Sequence, residues 1–106
     1  MRTYVVAFTP EAEIQLAELY RYLATVASPE IADRYTSEIV QHCGSLQRSP
    51  NRGVKRDDIR PGLRIMGHKR RVVIAFEVGE AFVNIIGVYY GGQNYEGALL
   101  IEGDEG

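Results

Sequence analysis

Two helix-start signals divide the first half of the chain. Thr9-Pro-Glu11 and Ser28-Pro-Glu30 each combine a hydroxyl that can cap a helix, a proline suited to the first helical position, and an acid that favours the positive end of the helix dipole. The first helical pattern ends one or two residues before the second signal begins. We therefore predict two helices that fold back on each other as an αα-hairpin.

Apolar residues follow each signal at three- and four-residue spacing, which is typical of helices with one buried face. The first stripe contains Ala12, Leu16, Leu19, Tyr20, Leu23 and Ala27, and the second contains Ala32, Tyr35, Ile39, Cys43 and Leu46. Gln15 and Glu18 fall on the outward face of the first helix. Cys43 falls on the second stripe and is predicted to be a small buried residue rather than a nucleophile. Gly44 is expected to allow close helix packing.

The remaining elements read as β-strands rich in β-branched and aromatic residues. Strands are predicted at residues 4–8, 63–66, 72–78 and 82–89, with an exposed loop at residues 51–62. The last three strands follow one another through short turns and form an antiparallel meander. The fold class is therefore α+β, with an N-terminal strand, the αα-hairpin, and helices packed on one face of a small twisted sheet.

The strand at residues 72–78 begins with an uninterrupted apolar run, which predicts a central strand covered on both faces. Because the helical hairpin can cover only one face, we expect the second face to be open to a partner. The tail at residues 95–106 has a short apolar run and then an acidic, glycine-rich end, and it is expected to be partly frayed.

The charge distribution is uneven although the formal net charge is only -2. Eight of the 12 Lys and Arg residues lie between Arg52 and Arg71, where the only acids are Asp57 and Asp58. Residues on either side of this window carry most of the acids. The window is predicted to be an interaction surface, and the alternative is a solvated loop whose charge is balanced elsewhere.

Composition limits the class of protein. At 106 residues the chain fits a single domain, assigned to residues 1–106, and no apolar run approaches the roughly 20 residues of a membrane span. The N-terminal residues do not resemble a signal peptide, so a cytoplasmic location is expected. One cysteine and two histidines make a metal site improbable, and no cofactor is predicted.

Several segments resemble the RelE/ParE superfamily of toxins from type II toxin-antitoxin systems. FTPEAE at residues 8–13 and LAELYRYL at 16–23 are similar to the first strand and helix of the family. IRPGLR at 59–64 and RVVIAF at 71–76 are similar to its next two strands, and VYYGGQNYEGAL at 88–99 is similar to its terminal signature. The resemblance covers residues 4–100 and is greatest for the ParE branch.

The resemblance implies one of two activities. RelE-like members cleave mRNA at the ribosome, which requires bases around the scissile phosphate, whereas ParE-like members inhibit DNA gyrase. Here Gly87 stands at the arginine position of the last strand, Tyr90 at a frequent histidine position, and Glu77 where a base is common. Gln93 and Asn94 stand where the family usually has Arg-Asp. The ParE-like function is therefore favoured, and the chain is not expected to be an enzyme.

The resemblance also implies partners and a binding surface. The expected partners are a ParD-like antitoxin of the ribbon-helix-helix type and DNA gyrase, with nucleic acid contacted only through them. The antitoxin is expected in the groove between the helical hairpin and the sheet. The predicted binding residues are Arg60, Arg64 and Arg71, displayed on the open sheet face, Lys69 and Arg70 in the turn before Arg71, and Tyr89 and Tyr90, of which one is expected to face the core and the other the open face. Two alternatives stay open: an mRNA endonuclease using Arg64, Arg71 and Tyr90, and an inactive paralogue that only binds antitoxin.

Overall fold

One strand, two helices, four further strands and a last helix follow one another in a computed structural model that describes the backbone of residues 3–104 and the side chains of residues 3–100. The elements are β1 (Val5–Phe8), α1 (Pro10–Val26), α2 (Pro29–Gly44), a 3₁₀ turn (Ser45–Gln47), β2 (Val54–Lys55), β3 (Leu63–His68), β4 (Val72–Val78), β5 (Phe82–Tyr90) and α3 (Tyr95–Asp104). The predicted α+β class is confirmed. The assignment of a single domain to residues 1–106 stays a prediction.

Both helix-start signals act as the sequence indicates. The Thr9 hydroxyl accepts a hydrogen bond from the Ala12 amide at 3.2 Å, and the Ser28 hydroxyl accepts one from the Ile31 amide at 3.1 Å. Each cap satisfies one of the amides that a helix leaves without an internal partner. The two helices pack against each other as the predicted αα-hairpin.

The sheet has five strands in the order β1-β5-β4-β3-β2. The predicted meander is present, because β3, β4 and β5 pair antiparallel and β4 is central. The N-terminal strand β1 pairs parallel with β5, which the sequence did not indicate. Two residues of the predicted 51–62 loop, Val54 and Lys55, form the short edge strand β2 by pairing with Ile65 and Arg64.

Two separate apolar cores lie on the two faces of the sheet. The helical hairpin covers one face, here called the hairpin face, and packs on Met66, Val72, Ile74, Phe76, Val83, Ile85 and Val88. The other core contains Ile59, Leu63, Ala75, Ile86, Tyr89 and Leu99. Alternation along β4 assigns even-numbered residues to the hairpin face and odd-numbered residues to the second face, as expected for a strand buried on both sides.

Helix α3 covers the second face, so the expectation that this face is open is wrong. Leu99 of α3 is fully buried in the second core, and Tyr95 packs at its edge. The described part of the tail forms α3 as far as Asp104, which the sequence did not indicate; the partial fraying of the tail stays a prediction, and residues 105 and 106 lie outside the described residues. The signal for this helix was Asn94, whose Oδ1 accepts a hydrogen bond from the Gly97 amide at 3.1 Å.

Arg56 links α3 to the segment after β2. Its guanidinium donates to both carboxylate oxygens of Asp58 at 2.9 Å, and it also pairs with Glu96 and donates to the Tyr95 hydroxyl. These hydrogen bonds raise the pKa of Arg56 and lower that of the Asp58 carboxyl. The N-terminal turn of α3 is therefore held by charge as well as by the apolar contact of Leu99.

The end of α2 corrects one prediction and confirms another. A Cβ built on Gly44 would meet no atom within 4 Å, so close helix packing does not explain this glycine. Gly44 instead marks the point where α2 passes into the 3₁₀ turn. Cys43 is fully buried as predicted, and burial raises the pKa of its thiol to about 12.

Candidate functional site

The predicted arginine surface does not form on one face. Arg64 alternates with Leu63 and Ile65 of the second core, so it lies on the hairpin face, where its Nη1 donates to the carbonyls of Asn51 and Arg52 at 3.2 Å. Arg60 lies on the opposite side and pairs with Glu77 at 3.5 Å. The expectation that one open sheet face displays Arg60, Arg64 and Arg71 together is therefore wrong.

Arg71 and Tyr90 do come together, in a cleft between α1 and the end of β5. The cleft has a volume of about 580 Å³ and is lined by Gln15, Glu18, Leu19, Tyr22, Arg71, Val88, Tyr90, Gly91 and Gln93. Of the predicted binding residues, only these two line it. The wall formed by α1 was not predicted, because helical periodicity placed Gln15 and Glu18 on the outward face of the helix.

Two glutamines join the walls of the cleft to the sheet. The Oε1 atom of Gln15 accepts the Val88 amide at 2.6 Å, and the Oε1 atom of Gln93 accepts the Tyr90 amide at 2.7 Å. Each glutamine satisfies a backbone N–H near the end of β5 and is thereby held in place. The side-chain NH₂ group of each remains as a donor.

An aromatic cluster positions Tyr90 at one end of the cleft. Its ring lies 6.1 Å from that of Tyr22 and 5.9 Å from that of Tyr35, and the second pair is edge to face. Lys69 lies 5.7 Å from the centre of the Tyr35 ring and donates to Glu38 at 2.8 Å. Burial, followed by the neighbouring Tyr90, raises the pKa of Tyr35, while the hydrogen bond from Lys69 lowers that of Glu38.

The turn between β3 and β4 places Arg71 beside the cleft. Lys69 and Arg70 have φ angles of 52° and 65°, as a tight turn with two left-handed residues requires. Neither residue is a glycine or asparagine, the usual sequence signals for such a turn. Lys69 is held by Glu38, whereas the exposed Arg70 has no ion-pair partner among residues 3–100.

Tyr89 lies on the opposite side of the sheet from Tyr90, as alternation along a strand predicts. Its side chain is 5% exposed in the second core, and its ring lies 6.1 Å from that of Tyr95. Gly87 is on the same side, because a Cβ there would meet the Tyr89 ring. Tyr89 is thus the tyrosine of the pair that faces a core, and its role in binding stays a prediction.

The cleft is suited to binding rather than to phosphate chemistry. It carries a single arginine, and its opposite wall carries the carboxylate of Glu18. Charge stabilisation of a scissile phosphate usually needs several converging donors and no facing acid. Among the residues that the structure describes, no three metal-ligating side chains cluster. No helix in that part of the chain is long and apolar enough to span a bilayer.

Comparisons with known proteins identify relatives of this architecture. A family model described as the ParE toxin of type II toxin-antitoxin system, parDE, matches residues 6–95. A structure of the chromosomal ParDE system from P. aeruginosa aligns with TM-score 0.74 and 23% identity over 84% of this chain and 97% of that chain. The RelBE2 complex from Mycobacterium tuberculosis aligns with TM-score 0.64 and 20% identity over 88% and 97%. No curated protein sequence matches significantly.

Proposed function

Because the chain belongs to the ParE toxin family of type II toxin-antitoxin systems, we propose that it inhibits DNA gyrase in the cytoplasm and is neutralised by a ParD-like antitoxin. The family match covers most of the chain and includes the whole αα-hairpin and the meander. Gyrase inhibition is the activity that the resemblance implies for the ParE branch. The antitoxin is proposed to be of the ribbon-helix-helix type.

The composition of the cleft supports a protein ligand over an RNA substrate. Arg71 is the one arginine of the cleft lining, and Glu18 faces the same space. The glycine at position 87 lies under Tyr89 on the other side of the sheet, so it contributes nothing to the cleft. An mRNA endonuclease would have to stabilise a doubly charged phosphorane with this one cation, which is a poor arrangement for that chemistry.

The proposed antitoxin site is the groove between α1 and the end of the sheet. Tyr22 and Tyr90 supply aromatic surface there, and Arg71 supplies a cation for an acidic side chain. A segment that folds onto such a groove buries apolar area worth about 25 cal/mol per Å² while meeting a complementary charge. A disordered antitoxin segment would lose conformational entropy when it folds on binding. This loss lowers its affinity, so that neutralisation is reversible.

A gyrase supercoiling assay with purified protein tests the proposal. We expect the protein to block supercoiling and to trap cleaved DNA on gyrase, and the antitoxin encoded beside it to prevent both effects. Normal gyrase activity together with mRNA cuts in translating extracts would overturn the proposal in favour of a RelE-like nuclease. Unchanged growth on induction, with antitoxin binding intact, would identify an inactive paralogue.

A further inference from the structure

Opposite charges stand on the two sides of the cleft between α1 and β5. Glu18 is exposed on the α1 side, and Arg71 is exposed where β4 begins. Within residues 3–100, neither side chain forms a salt bridge, with the other or with any third residue. Nearby Lys69, by contrast, is paired with Glu38. The cleft therefore offers one acid and one base to an incoming molecule.

The floor between these charges is apolar. Leu19 and Val88 are 6% and 3% exposed and form the base of the cleft, with the Tyr90 ring beside them. Because Leu19 and Val88 are already nearly buried, the apolar area that a ligand can still cover in the cleft belongs mainly to the rings of Tyr22 and Tyr90. A ligand that fills the cleft should carry an apolar group between its charged groups.

Neutral donors near the floor match the backbone of a peptide. The Oε1 atoms of Gln15 and Gln93 are occupied by backbone amides, so their NH₂ groups are what each offers to a ligand. Peptide carbonyls are acceptors of the kind that these groups need. A phosphate group would also accept these hydrogen bonds and pair with Arg71, but it brings no cation for Glu18, whereas a peptide can supply both charges.

The exposed apolar surface runs along α1 from Tyr22, which lines the cleft, to Ile14, which lies outside the lining. Ile14 and Tyr22, one helical turn before and after Glu18, are 57% and 53% exposed. Large apolar side chains on both sides of a charged residue form a surface longer than a small metabolite needs. This extent favours a polypeptide segment as the occupant.

We propose that the cleft binds a segment of a protein partner that presents a basic side chain to Glu18 and a carboxylate to Arg71, with an apolar side chain between them. This inference rests on the proposed function only in taking the occupant to be a protein such as the antitoxin. The two charges orient the segment, because reversing its direction would bring like charges together on both sides.

Short synthetic peptides test the inference without the natural partner. Three peptides, each acetylated and amidated at its ends, share a central leucine. The mixed peptide has Lys on one side of the leucine and Asp on the other, the doubly acidic peptide has Asp on both sides, and the doubly basic peptide has Lys on both sides. Titration into the full-length protein, followed by amide NMR shifts, gives their relative affinities. We expect the mixed peptide to bind about tenfold more tightly than the other two, and added salt to reduce this difference.

Charge reversal should change the ranking in a defined direction. Glu18→Arg makes both sides basic and should favour the doubly acidic peptide, whereas Arg71→Glu should favour the doubly basic one. The double variant should prefer the mixed peptide again. Matched controls are Arg21→Glu and Asp33→Arg, which are exposed and lie outside the cleft lining, and both should keep the wild-type ranking.

Several outcomes would overturn the inference: no difference among the peptides, a wild-type preference for the doubly acidic peptide, or AMP binding as tightly as the mixed peptide. Circular dichroism of each variant shows whether the protein is still folded, so that a changed order of peptide affinities is not confused with unfolding. Gyrase inhibition is measured separately. A toxin that ranks the peptides as expected but leaves gyrase active contradicts the proposed target alone, and an active toxin without the ranking contradicts this inference alone.

Discussion

The ring of Tyr89 lies across the backbone of Gly87, two residues earlier in β5. A Cβ built on Gly87 would lie 2.5 Å from Cε2 and 2.6 Å from Oη of that ring, closer than real Cβ atoms approach. The glycine therefore makes room for a buried tyrosine of the second core. The position at which the family resemblance leads one to expect an arginine is closed by this packing and faces away from the cleft.

Replacing Gly87 with Ala should lower the free energy of unfolding by about 2 kcal/mol, because an added methyl group must displace the Tyr89 ring. In a Tyr89→Ala background the same replacement should cost much less, since the obstructing ring is gone. Urea unfolding of the four proteins forms a double-mutant cycle that measures this coupling. Equal costs of Gly87→Ala in both backgrounds would show that the two residues do not compete for space.

Protonation of two neighbouring histidines, His42 and His68, should make stability depend on pH. The rings of His42 and His68 lie 4.8 Å apart, and the Nε2 atom of His68 is buried without a hydrogen-bond partner among the described residues. Burial lowers the pKa of both rings below the usual 6.5; Arg52 adds to this for His42, and His42 and Lys69 add to it for His68.

Below pH 6.5 the unfolded chain therefore binds more protons at these histidines than the folded chain does. The contribution of the two neutral histidines to stability is complete above pH 6.5. It is lost as the pH falls through the lowered pKa values that they have in the folded chain. Urea midpoints should drop between pH 7 and pH 5 and drop less in His68→Gln. Glu38 acts against the lowering of the His68 pKa. Its own pKa is lowered from 4.5, so it stays ionised between pH 7 and pH 5. An identical drop in the variant would exclude His68 as the source.

Removing the guanidinium of Arg56 should loosen α3. In Arg56→Met the ion pair with Glu96 and the hydrogen bond to the Tyr95 hydroxyl are lost, while Leu99 still anchors the helix. Hydrogen exchange should become faster for the amides of α3 and stay unchanged for those of β4. Glu96→Gln should give a smaller effect in the same direction. Unaltered exchange in α3 would mean that apolar contacts alone hold this helix.

Two arginines that looked equivalent in the sequence should give different variants. Arg64→Ala removes two hydrogen bonds to backbone carbonyls and should cost about 1 kcal/mol of stability without affecting a ligand of the cleft. Arg71→Ala should leave the thermal midpoint nearly unchanged and weaken antitoxin binding. Thermal unfolding and calorimetric titration of both variants check this difference. The opposite pattern would move the binding site to the edge of the sheet at β2.

Local signals account for the parts of the fold that were predicted. The capping hydroxyls of Thr9 and Ser28 and the alternating apolar residues of β3 to β5 act within a few residues of where they stand. The parallel pairing of β1 with β5 has no such local signal, since it joins strands at opposite ends of the chain. Helix α3 was missed because glycines weaken its helical pattern, although Asn94 caps it.

The candidate site was predicted only in part, because local signals identify single residues and not the distant segments that pack beside them. Arg71 and Tyr90 stood out by charge and by position at strand ends. Gln15 and Glu18 lie on the side of α1 that its periodicity assigns to solvent, and they become cleft residues only because β5 ends beside that helix. Periodicity identifies which residues leave the core, but it does not say what stands next to them.

By itself the sequence determined the order of β1, the two hairpin helices and the three meander strands, the buried stripe of each hairpin helix and the two faces of the meander strands, because backbone geometry sets these over a few residues. The tertiary structure decided which sheet face the hairpin covers, where α3 packs, and which arginines keep a free charge. Those outcomes depend on contacts between residues far apart in the chain. Arg60, Arg64 and Arg71 differ in role for this reason: carboxylates or carbonyls from other segments reach the first two and leave the third in the cleft.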